Sequence, residues 1–412
     1  MEKLKNFDYQ DCQITSKSIW SPYTWEDKTD WYDEIYDQQD YKRFLNEEAV
    51  MLPLVTVADV QRLQEELVDV YEGKKLYFQA GDCVELFEDM NEIALKDKFD
   101  FLNTISDYMQ VLSNKPVVTL GRMGGQFAKP RTSLTEEVKG VTMYSFMGQI
   151  FNDYAPNIWA RQPQLQRILW AYKASQMVHE HLVDYTQEKH ANRTLFTSHE
   201  GLHLPYESSL TQQCQDSNGY YNLSSHFQWV GMRSLFEDSA HIEFYRGIEN
   251  PIGIKVGPSA TPALLDQVCT VLNPRNVPGK VTLILRLGDK VSEVLPNLIK
   301  QVKSKGHKVI WVSDPMHANT VKNAQGVKTR SLDKIKAEVK QVSQILRENH
   351  CYFAGLHLEA SPDNIYECAD SCDLMAKVDL GKAYQTQCDP RLNFEQAINV
   401  VSCFINHSKK GS

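Results

Sequence analysis

Four side chains of metal-binding type lie far apart in the sequence, and each lies next to a predicted strand or a turn. They are Cys83, His317, Glu359 and Asp389. A thiolate, an imidazole and two carboxylates suit a borderline divalent ion such as Mn, Fe, Co or Zn better than Mg or Ca. Buried cysteines and hydrogen-bonded histidines without a metal are nevertheless common. The residues alone leave both interpretations open.

A second set of candidate residues is cationic. Arginine binds phosphate or carboxylate through paired N–H donors, and lysine supplies a point charge. Any one of these residues could instead form an ordinary surface ion pair. Their recurrence after predicted strands, in a chain of net charge −9, favours a multiply anionic substrate. The set consists of Arg122, Lys129, Arg131, Arg233, Lys255 and Arg286.

Two other runs have the spacing of metal motifs but are predicted to be structural. His199-Glu200-Gly201-Leu202-His203 fits the two-histidine zinc-protease pattern, which requires both histidines on one helix face. The strand-like run before it, the glycine within it and Pro205 after it all oppose a helix. Cys368 and Cys372 have one-turn spacing and are predicted to be core residues of a helix.

Eight strand-like runs position these residues: 76–80, 116–120, 195–197, 227–230, 253–256, 281–285, 309–312 and 353–358. Most are separated by stretches with helical spacing, at 92–113, 163–189, 261–273, 290–305 and 331–349. Alternating strands and helices predict parallel strands, and eight such units predict an α/β fold of the (β/α)8 TIM-barrel class. The chemistry of such barrels lies at the carboxyl ends of the strands.

The chain is predicted to have two parts. Residues 1–74 form an N-terminal extension, with an aromatic-rich arm over 1–50 and a helix over 57–72. The arm is expected to pack on the main domain or on a second subunit. Residues 75–412 form the catalytic barrel, in which 124–160 is predicted to be an irregular loop over the mouth.

The composition argues against several classes of protein. With 412 residues, 42% hydrophobic and 24% charged, the chain is typical of globular proteins. The negative net charge argues against non-specific nucleic-acid binding. No apolar run approaches the roughly 20 residues of a membrane span, and the start lacks a signal-peptide core. The nine cysteines do not indicate a secreted disulfide framework. We expect a cytoplasmic protein with no nucleic-acid or membrane partner.

Several runs together resemble the class II 3-deoxy-D-arabino-heptulosonate 7-phosphate (DAHP) synthases. They are 121–131, 197–206, 250–258, 314–320, 355–359 and 388–393. The short N-terminal region is most similar to the phenazine-pathway branch, which serves secondary metabolism. The resemblance implies a TIM-barrel transferase that condenses phosphoenolpyruvate with erythrose 4-phosphate, the first step of the shikimate pathway. It also leads us to expect a homo-oligomer.

The resemblance assigns roles to individual residues. The divalent-metal ligands of the family match Cys83, His317, Glu359 and Asp389. Residues that bind phosphoenolpyruvate match Arg122, Arg233, Lys255 and Arg286, and Arg122, Lys255 and Arg286 are the predicted catalytic residues. The run associated with the aldose phosphate matches Lys129, Arg131 and Thr132.

The chain departs from the family pattern beside the predicted substrate site. Where the family reads Trp-Val-Gly-Glu-Arg, this chain has Met232 in place of the glutamate, and Ala318 replaces a usual glycine. Met232 is still predicted to bind substrate, provided that its backbone amide is the group that acts. Two alternatives stay open: a sister synthase for a modified aldose phosphate such as an amino sugar, and a catalytically inactive barrel that acts as a partner protein.

Overall fold

Eight parallel strands form a closed barrel in the computed structural model, which describes residues 20–28, 35–36, 38–45, 51–131, 133–189 and 194–408. The strands are β1 (Leu76–Gly81), β2 (Val117–Arg122), β3 (Leu195–Glu200), β4 (Phe227–Val230), β5 (Ile252–Val256), β6 (Val281–Leu285), β7 (Val309–Ser313) and β8 (Phe353–Glu359). All eight predicted strands are confirmed, and the (β/α)8 fold class with them.

Each barrel strand pairs with its neighbours in the chain, and β8 closes the ring on β1. In the closing pair, Ala80 lies opposite Leu358 and Gly81 lies opposite Glu359. Strands β5, β6, β7 and β8 are buried along their whole length. This burial on both faces explains why they read as nearly continuous apolar runs rather than as alternating ones.

Helices surround the barrel at the predicted places. The long ones are Val57–Tyr71, Glu92–Ser113, Gln166–Lys189, Pro262–Leu272, Val291–Lys305, Leu332–Glu348 and Phe394–Ser408, and the short ones are Gln38–Arg43, Leu204–Ser209 and Ala240–Tyr245. Local chemistry fixes several starts: Thr56 and Asp59 form a capping box, and Asn91 accepts from the Ala94 amide. Among the described residues, no helix is long and apolar enough to cross a membrane.

The described part of the N-terminal extension packs on the barrel. The Trp25 indole N–H donates to Ser208 Oγ at 2.8 Å, and the Trp20 indole donates to the Glu243 carbonyl oxygen at 3.0 Å. The helix Val57–Tyr71 places Leu63, Leu67 and Val70 against the residues that begin several strands, and so covers that end of the barrel. The domain boundary at residue 74 stays a prediction. Residues 1–19 lie outside the described residues, so the surface that they pack against stays a prediction as well.

Two details of the sequence prediction are wrong. The stretch 124–160 contains a hairpin of Thr135–Val138 and Val141–Tyr144, joined by Lys139 and Gly140 with φ of 53° and 79°. Two central residues with positive φ are typical of a tight hairpin turn. Cys368 is not helical, whereas Cys372 begins the short 3-10 helix Cys372–Lys377.

Candidate active site

A cavity of about 460 Å³ opens at the carboxyl ends of the barrel strands. Glu359, at the end of β8, is fully buried and contacts the cavity wall through His317. Thr132 lies outside the described residues. The cavity is lined by ten of the predicted site residues: Cys83, Arg122, Lys129, Arg131, Met232, Arg233, Lys255, Arg286, His317 and Asp389.

The four predicted metal-binding residues meet at one side of this cavity. His317 Nε2 lies 2.9 Å from Glu359 Oε1, and Cys83 Sγ lies 3.6 Å from Asp389 Oδ2. The ligand atoms form two overlapping groups, in each of which all atoms lie within 4.8 Å of one another: His317 with Glu359 and Asp389, and Cys83 with Cys388 and Asp389. Asp389 therefore joins the thiol side of the cluster to the imidazole side.

Cations surround this anionic cluster. Lys129 Nζ lies 2.8 Å from Cys83 Sγ and 2.9 Å from Asp389 Oδ2, while Lys328 Nζ lies 2.9 Å from Asp389 Oδ1. Burial alone would raise the pKa of Asp389, but Lys129 and the other nearby cations hold it well below its usual range. Arg330, fully buried, donates to Glu359 Oε2 at 2.6 Å. The two carboxylates of the donor set, Glu359 and Asp389, are thus held ionised.

The two cysteines of the cluster differ in character. Burial raises the pKa of Cys83, whereas the hydrogen bond from Cys83 lowers the pKa of Cys388 to about 7. Lys129 adds a favourable charge beside both sulfurs. A thiolate is the form of cysteine that binds metals, so the Lys129 charge favours the metal-binding form of both sulfurs and opposes the effect of burial on Cys83.

Asp314, directly after β7, connects the metal-type cluster to the cationic set. It accepts from His317 Nδ1 at 2.7 Å, which leaves Nε2 directed at Glu359, and it also forms an ion pair with Lys255. Burial lowers the pKa of Lys255 to about 8, although Asp314 opposes the shift. A carboxylate that binds the ring nitrogen of a histidine opposite the metal-binding nitrogen, and so orients the ring, is typical of metal sites.

Arg122, at the end of β2, is fixed by its surroundings. Its guanidinium donates to Glu359 Oε1 at 3.2 Å and to His357 Nε2, and lies 5.2 Å from the Trp229 ring centre. His357 Nδ1 lies 2.6 Å from Gln79 Oε1, so Nδ1 carries the proton and Nε2 accepts. Burial holds the pKa of His357 well below its ordinary value, which keeps the ring neutral and able to accept.

Met232 lies against the arginine that follows β6. Arg286 Nη1 approaches Met232 Sδ at 2.7 Å, and a Cβ on Gly257 would lie 2.1 Å from the same sulfur. Arg286 Nε is buried without a hydrogen-bond partner in the described part of the chain. The thioether therefore gives Arg286 no negative charge, and the guanidinium keeps its capacity to bind an anion.

The outer part of the cavity carries the remaining predicted cations. Arg131 Nη2 lies 3.3 Å from Glu136 Oε2 on the hairpin, and Arg161 Nη1 lies 2.6 Å from the other oxygen of Glu136. Arg233 is exposed, and its Nη1 donates to the Pro130 carbonyl oxygen at 3.3 Å. These residues surround the mouth, while Arg122 and Lys255 lie deeper.

The two-histidine run is structural, as predicted. His199 lies on β3 and its Nε2 is 2.7 Å from Glu207 Oε1, with both residues buried. His203 instead accepts from the Tyr206 amide at the start of the helix Leu204–Ser209. Because the two histidines lie on different elements, they do not form the zinc-protease arrangement.

Four residues that contact the site have no role predicted from the sequence: Asp314, Lys328, Arg330 and His357. The position of Asp314 after β7 and of His357 near the end of β8 was a signal that could have identified them. Lys328 and Arg330 follow no barrel strand. They reach Asp389 and Glu359 from the small sheet of Val321–Lys322 and Lys328–Thr329, which the sequence pattern did not predict.

The fold and cavity define a (β/α)8 enzyme with a cationic pocket beside a cluster of metal-type ligands. Comparison with known proteins then identifies the family. The class-II DAHP synthetase family matches residues 20–192 and 179–404, which together cover most of the chain. The protein belongs to this family, whose members depend on a metal.

Two relatives match this chain over most of their own length. The chain is 34% identical to phospho-2-dehydro-3-deoxyheptonate aldolase of Neurospora crassa, over 95% of each protein. It is 37% identical to a probable phospho-2-dehydro-3-deoxyheptonate aldolase of Pseudomonas fluorescens, over 84% of this chain and 87% of the relative. The similarity to the family therefore includes the entire barrel.

Proposed function

We infer that the protein condenses phosphoenolpyruvate with erythrose 4-phosphate to give DAHP and inorganic phosphate. The observation that carries this inference is that a deep cationic pocket and a cluster of metal-type ligands line one cavity of a class-II DAHP synthetase family barrel. Both substrates are phosphorylated, and phosphoenolpyruvate also carries a carboxylate. A pocket with this charge suits them.

Cys83, His317, Glu359 and Asp389 are proposed to hold the divalent metal, with Mn, Co, Fe or Zn the ions that this donor set suits. The ionised state of Asp389 and Glu359, and the histidine oriented by Asp314, fit such an ion. When bound there, the ion would supply Lewis-acid polarisation of the aldehyde oxygen.

Arg122, Lys255 and Arg286 are the proposed catalytic residues. With Arg233 they bind the phosphate and carboxylate of phosphoenolpyruvate and direct its carbon 3 towards the aldehyde carbon, which is an orientation effect. Met232 presents its backbone amide to the same substrate. Lys129, Arg131 and Thr132 bind the phosphate of the aldose.

The reaction balances without an oxidant or reductant. A bond forms between carbon 3 of phosphoenolpyruvate and the aldehyde carbon, and the aldehyde oxygen takes up a proton. Water adds to carbon 2, where positive charge develops. The bond from carbon 2 to the phosphate oxygen then breaks, giving a ketone and free phosphate. Arginine and lysine side chains stabilise the negative charge of the departing phosphate.

We also propose a homo-oligomer in the cytoplasm and a role in secondary metabolism. All three extend what the sequence and its resemblance to the phenazine-pathway branch lead us to expect. Size-exclusion chromatography with light scattering measures the oligomeric state. The pathway is measured by feeding labelled precursor to cells with and without the gene.

The deciding experiment is an aldose panel. The purified protein is incubated with Mn²⁺, phosphoenolpyruvate and one of several phosphorylated aldoses, including an aminated one, and phosphate and condensed product are measured. Erythrose 4-phosphate is expected to give equal amounts of both, and chelation is expected to stop the reaction. Phosphate release without an aldose would contradict a condensation.

Because Met232 replaces the glutamate usual in the family, the same experiment also tests two alternatives, a sister synthase and an inactive barrel. Turnover on the aminated aldose alone would identify a sister synthase. Binding of metal and phosphoenolpyruvate without turnover on any aldose would indicate an inactive barrel. His317→Ala serves as the metal-site control, because it removes one proposed ligand and should abolish turnover in either synthase.

A further inference from the structure

Glu338 is a buried carboxylate outside the cavity that contacts two of its loops. It lies on the helix Leu332–Glu348, and only 2% of its surface is exposed. Its Oε1 accepts from the Leu287 amide at 2.8 Å, and its Oε2 accepts from Asn319 Nδ2 at 2.7 Å. Each carboxylate oxygen therefore binds a different loop.

The two loops carry the two halves of the site. Leu287 directly follows Arg286, the proposed phosphoenolpyruvate ligand, and Asn319 lies two residues after His317, the proposed metal ligand. Asn319 Nδ2 also donates to the Pro315 carbonyl oxygen at 2.9 Å. The second loop therefore has an internal hydrogen bond as well as the one to Glu338.

The loops also lie close together at a second place. Gly288 has φ of 60°, and a Cβ built on it would lie 3.0 Å from Ala318 Cβ. Ala318 itself stands where the family usually has glycine, so its Cβ narrows the space between the two loops. The two loops are therefore linked through Glu338 and lie close together at Gly288 and Ala318.

The position of Glu338 is tightly specified. Burial raises its pKa to about 7, while the amides of Gly288 and Leu287 and the side chain of Asn319 act to lower it. A buried carboxyl group is costly unless its oxygens accept hydrogen bonds, so these donors must stay in place. The helix thereby fixes the distance between the two loops.

We propose that Glu338 is a positioning residue that couples metal binding at the His317 loop to anion binding at the Arg286 loop. Because coupling between two sites is reciprocal, the metal should strengthen phosphoenolpyruvate binding and phosphoenolpyruvate should strengthen metal binding by the same factor. This inference rests on the proposed function and goes beyond it, since Glu338 touches neither ligand.

The test measures binding rather than turnover. Titration calorimetry gives the phosphoenolpyruvate affinity with and without Mn²⁺, and electron paramagnetic resonance gives the Mn²⁺ affinity with and without phosphoenolpyruvate. The wild type is expected to show an enhancement of about fivefold or more. Glu338→Gln is expected to reduce the enhancement to below about twofold. The glutamine amide nitrogen is a donor, so it would face either the Leu287 amide or Asn319 Nδ2, which are donors themselves.

A donor–acceptor reversal provides the specific control. In Glu338→Gln combined with Asn319→Asp, the glutamine oxygen can accept from Leu287 while its nitrogen donates to the new aspartate, so much of the enhancement should return. Asn319→Asp alone places its new carboxylate beside that of Glu338, and it should lower the enhancement. Glu348→Gln, at an exposed position on the same helix, should leave it unchanged.

The outcomes separate this inference from the proposed function. A wild type that binds neither ligand overturns both. Enhancement that persists in Glu338→Gln, or a double variant no better than the worse single variant, overturns the coupling alone. If Glu338→Gln does not fold, Asn319→Ala breaks the same bridge at a partly exposed residue, and full enhancement in that variant overturns the coupling equally.

Discussion

Two single residues, Lys255 and Met232, affect how the pocket binds anions. Lys255 is an ammonium group buried beside Asp314 and 5.7 Å from the Trp229 ring centre. Met232 places an uncharged sulfur where a carboxylate would neutralise Arg286. The first residue makes anion binding depend on pH, and the second leaves a guanidinium available to substrate.

The affinity for phosphoenolpyruvate should fall at alkaline pH because Lys255 loses its proton. Burial lowers the pKa of Lys255 to about 8, so the ammonium is present below this pH and is lost as the pH rises through it. The KM for phosphoenolpyruvate is expected to rise above about pH 8, by at most about tenfold per pH unit. Initial-rate kinetics from neutral pH upwards measure it.

Lys255→Arg is the matched control for this effect. Arginine stays protonated throughout the range, so its KM should be higher at neutral pH but nearly independent of pH. The same alkaline rise in both proteins would assign the titration to another group.

Met232→Glu tests whether the backbone amide or the side chain matters at position 232. If the amide acts, kcat with erythrose 4-phosphate should stay within about threefold, while the new carboxylate competes for Arg286 and raises the KM for phosphoenolpyruvate. Met232→Leu, of similar volume and uncharged, should resemble the wild type. A large gain in kcat, or new activity on an aminated aldose, would show that the missing charge determines the substrate.

At the scale of elements, the segment after β2 is held in place by close backbone approach. The Lys129 amide donates to the Met147 carbonyl oxygen at 2.8 Å, and a Cβ on Gly148 would lie 2.1 Å from the Phe127 carbonyl oxygen. The segment 127–129, which ends in the proposed aldose-phosphate residue Lys129, thus packs directly on the returning chain after the hairpin.

Gly148→Ala should disturb this packing far more than Gly140→Ala in the hairpin turn. Both glycines have positive φ, 96° and 79°, but a Cβ on Gly140 meets no atom within 4 Å among the described residues. We expect a loss of about 3 kcal/mol in the free energy of unfolding for Gly148→Ala and about 1 kcal/mol for Gly140→Ala. Urea unfolding measures both, and equal losses would contradict a role for close approach.

Buried histidines affect the stability of the whole molecule. His179 and His226 both lie within hydrogen-bond distance of Thr197, at 2.9 and 2.8 Å, while His203 caps a helix. Burial lowers the pKa of His179 to about 4 and the pKa values of His203 and His226 to about 3. The fold therefore requires all three to be neutral.

The free energy of unfolding should consequently fall as the pH drops below about 6.5, the ordinary pKa of histidine. The unfolded chain binds protons there that the folded chain does not, so each histidine removes about 1.4 kcal/mol per pH unit down to its folded pKa. In His226→Asn, whose oxygen can accept from the Thr197 amide, this slope should be smaller by that amount. Urea unfolding between neutral pH and about 4.5 measures it.

The exposed His350 provides the control for this slope, since His350→Asn should not change it. An unchanged slope in His226→Asn would show that other groups cause the loss of stability in acid.

The sequence by itself determined the barrel and the end of it that carries the chemistry. Strands such as Val281–Leu285 are short apolar runs between turn residues, and helix starts such as Thr56 and Asn91 depend on neighbours three residues away. These signals are local, so they can be read without knowing the fold. The same rule places Arg122, Lys255 and Glu359 at one face, because parallel strands bring their carboxyl ends together. Asp389 follows no barrel strand, and its predicted role came from the resemblance to the family.

Only the tertiary structure decided which side chains touch. Cys83 and Asp389 are separated by 306 positions, and Arg122 and Glu359 by 237. Contacts over such separations exist only once β8 has closed on β1. The same holds for the bridge from Glu338 to two loops and for the approach of Lys328 to Asp389. Local sequence fixes where a side chain leaves its strand or helix, but the closure of the barrel and the packing of its helices fix what that side chain meets.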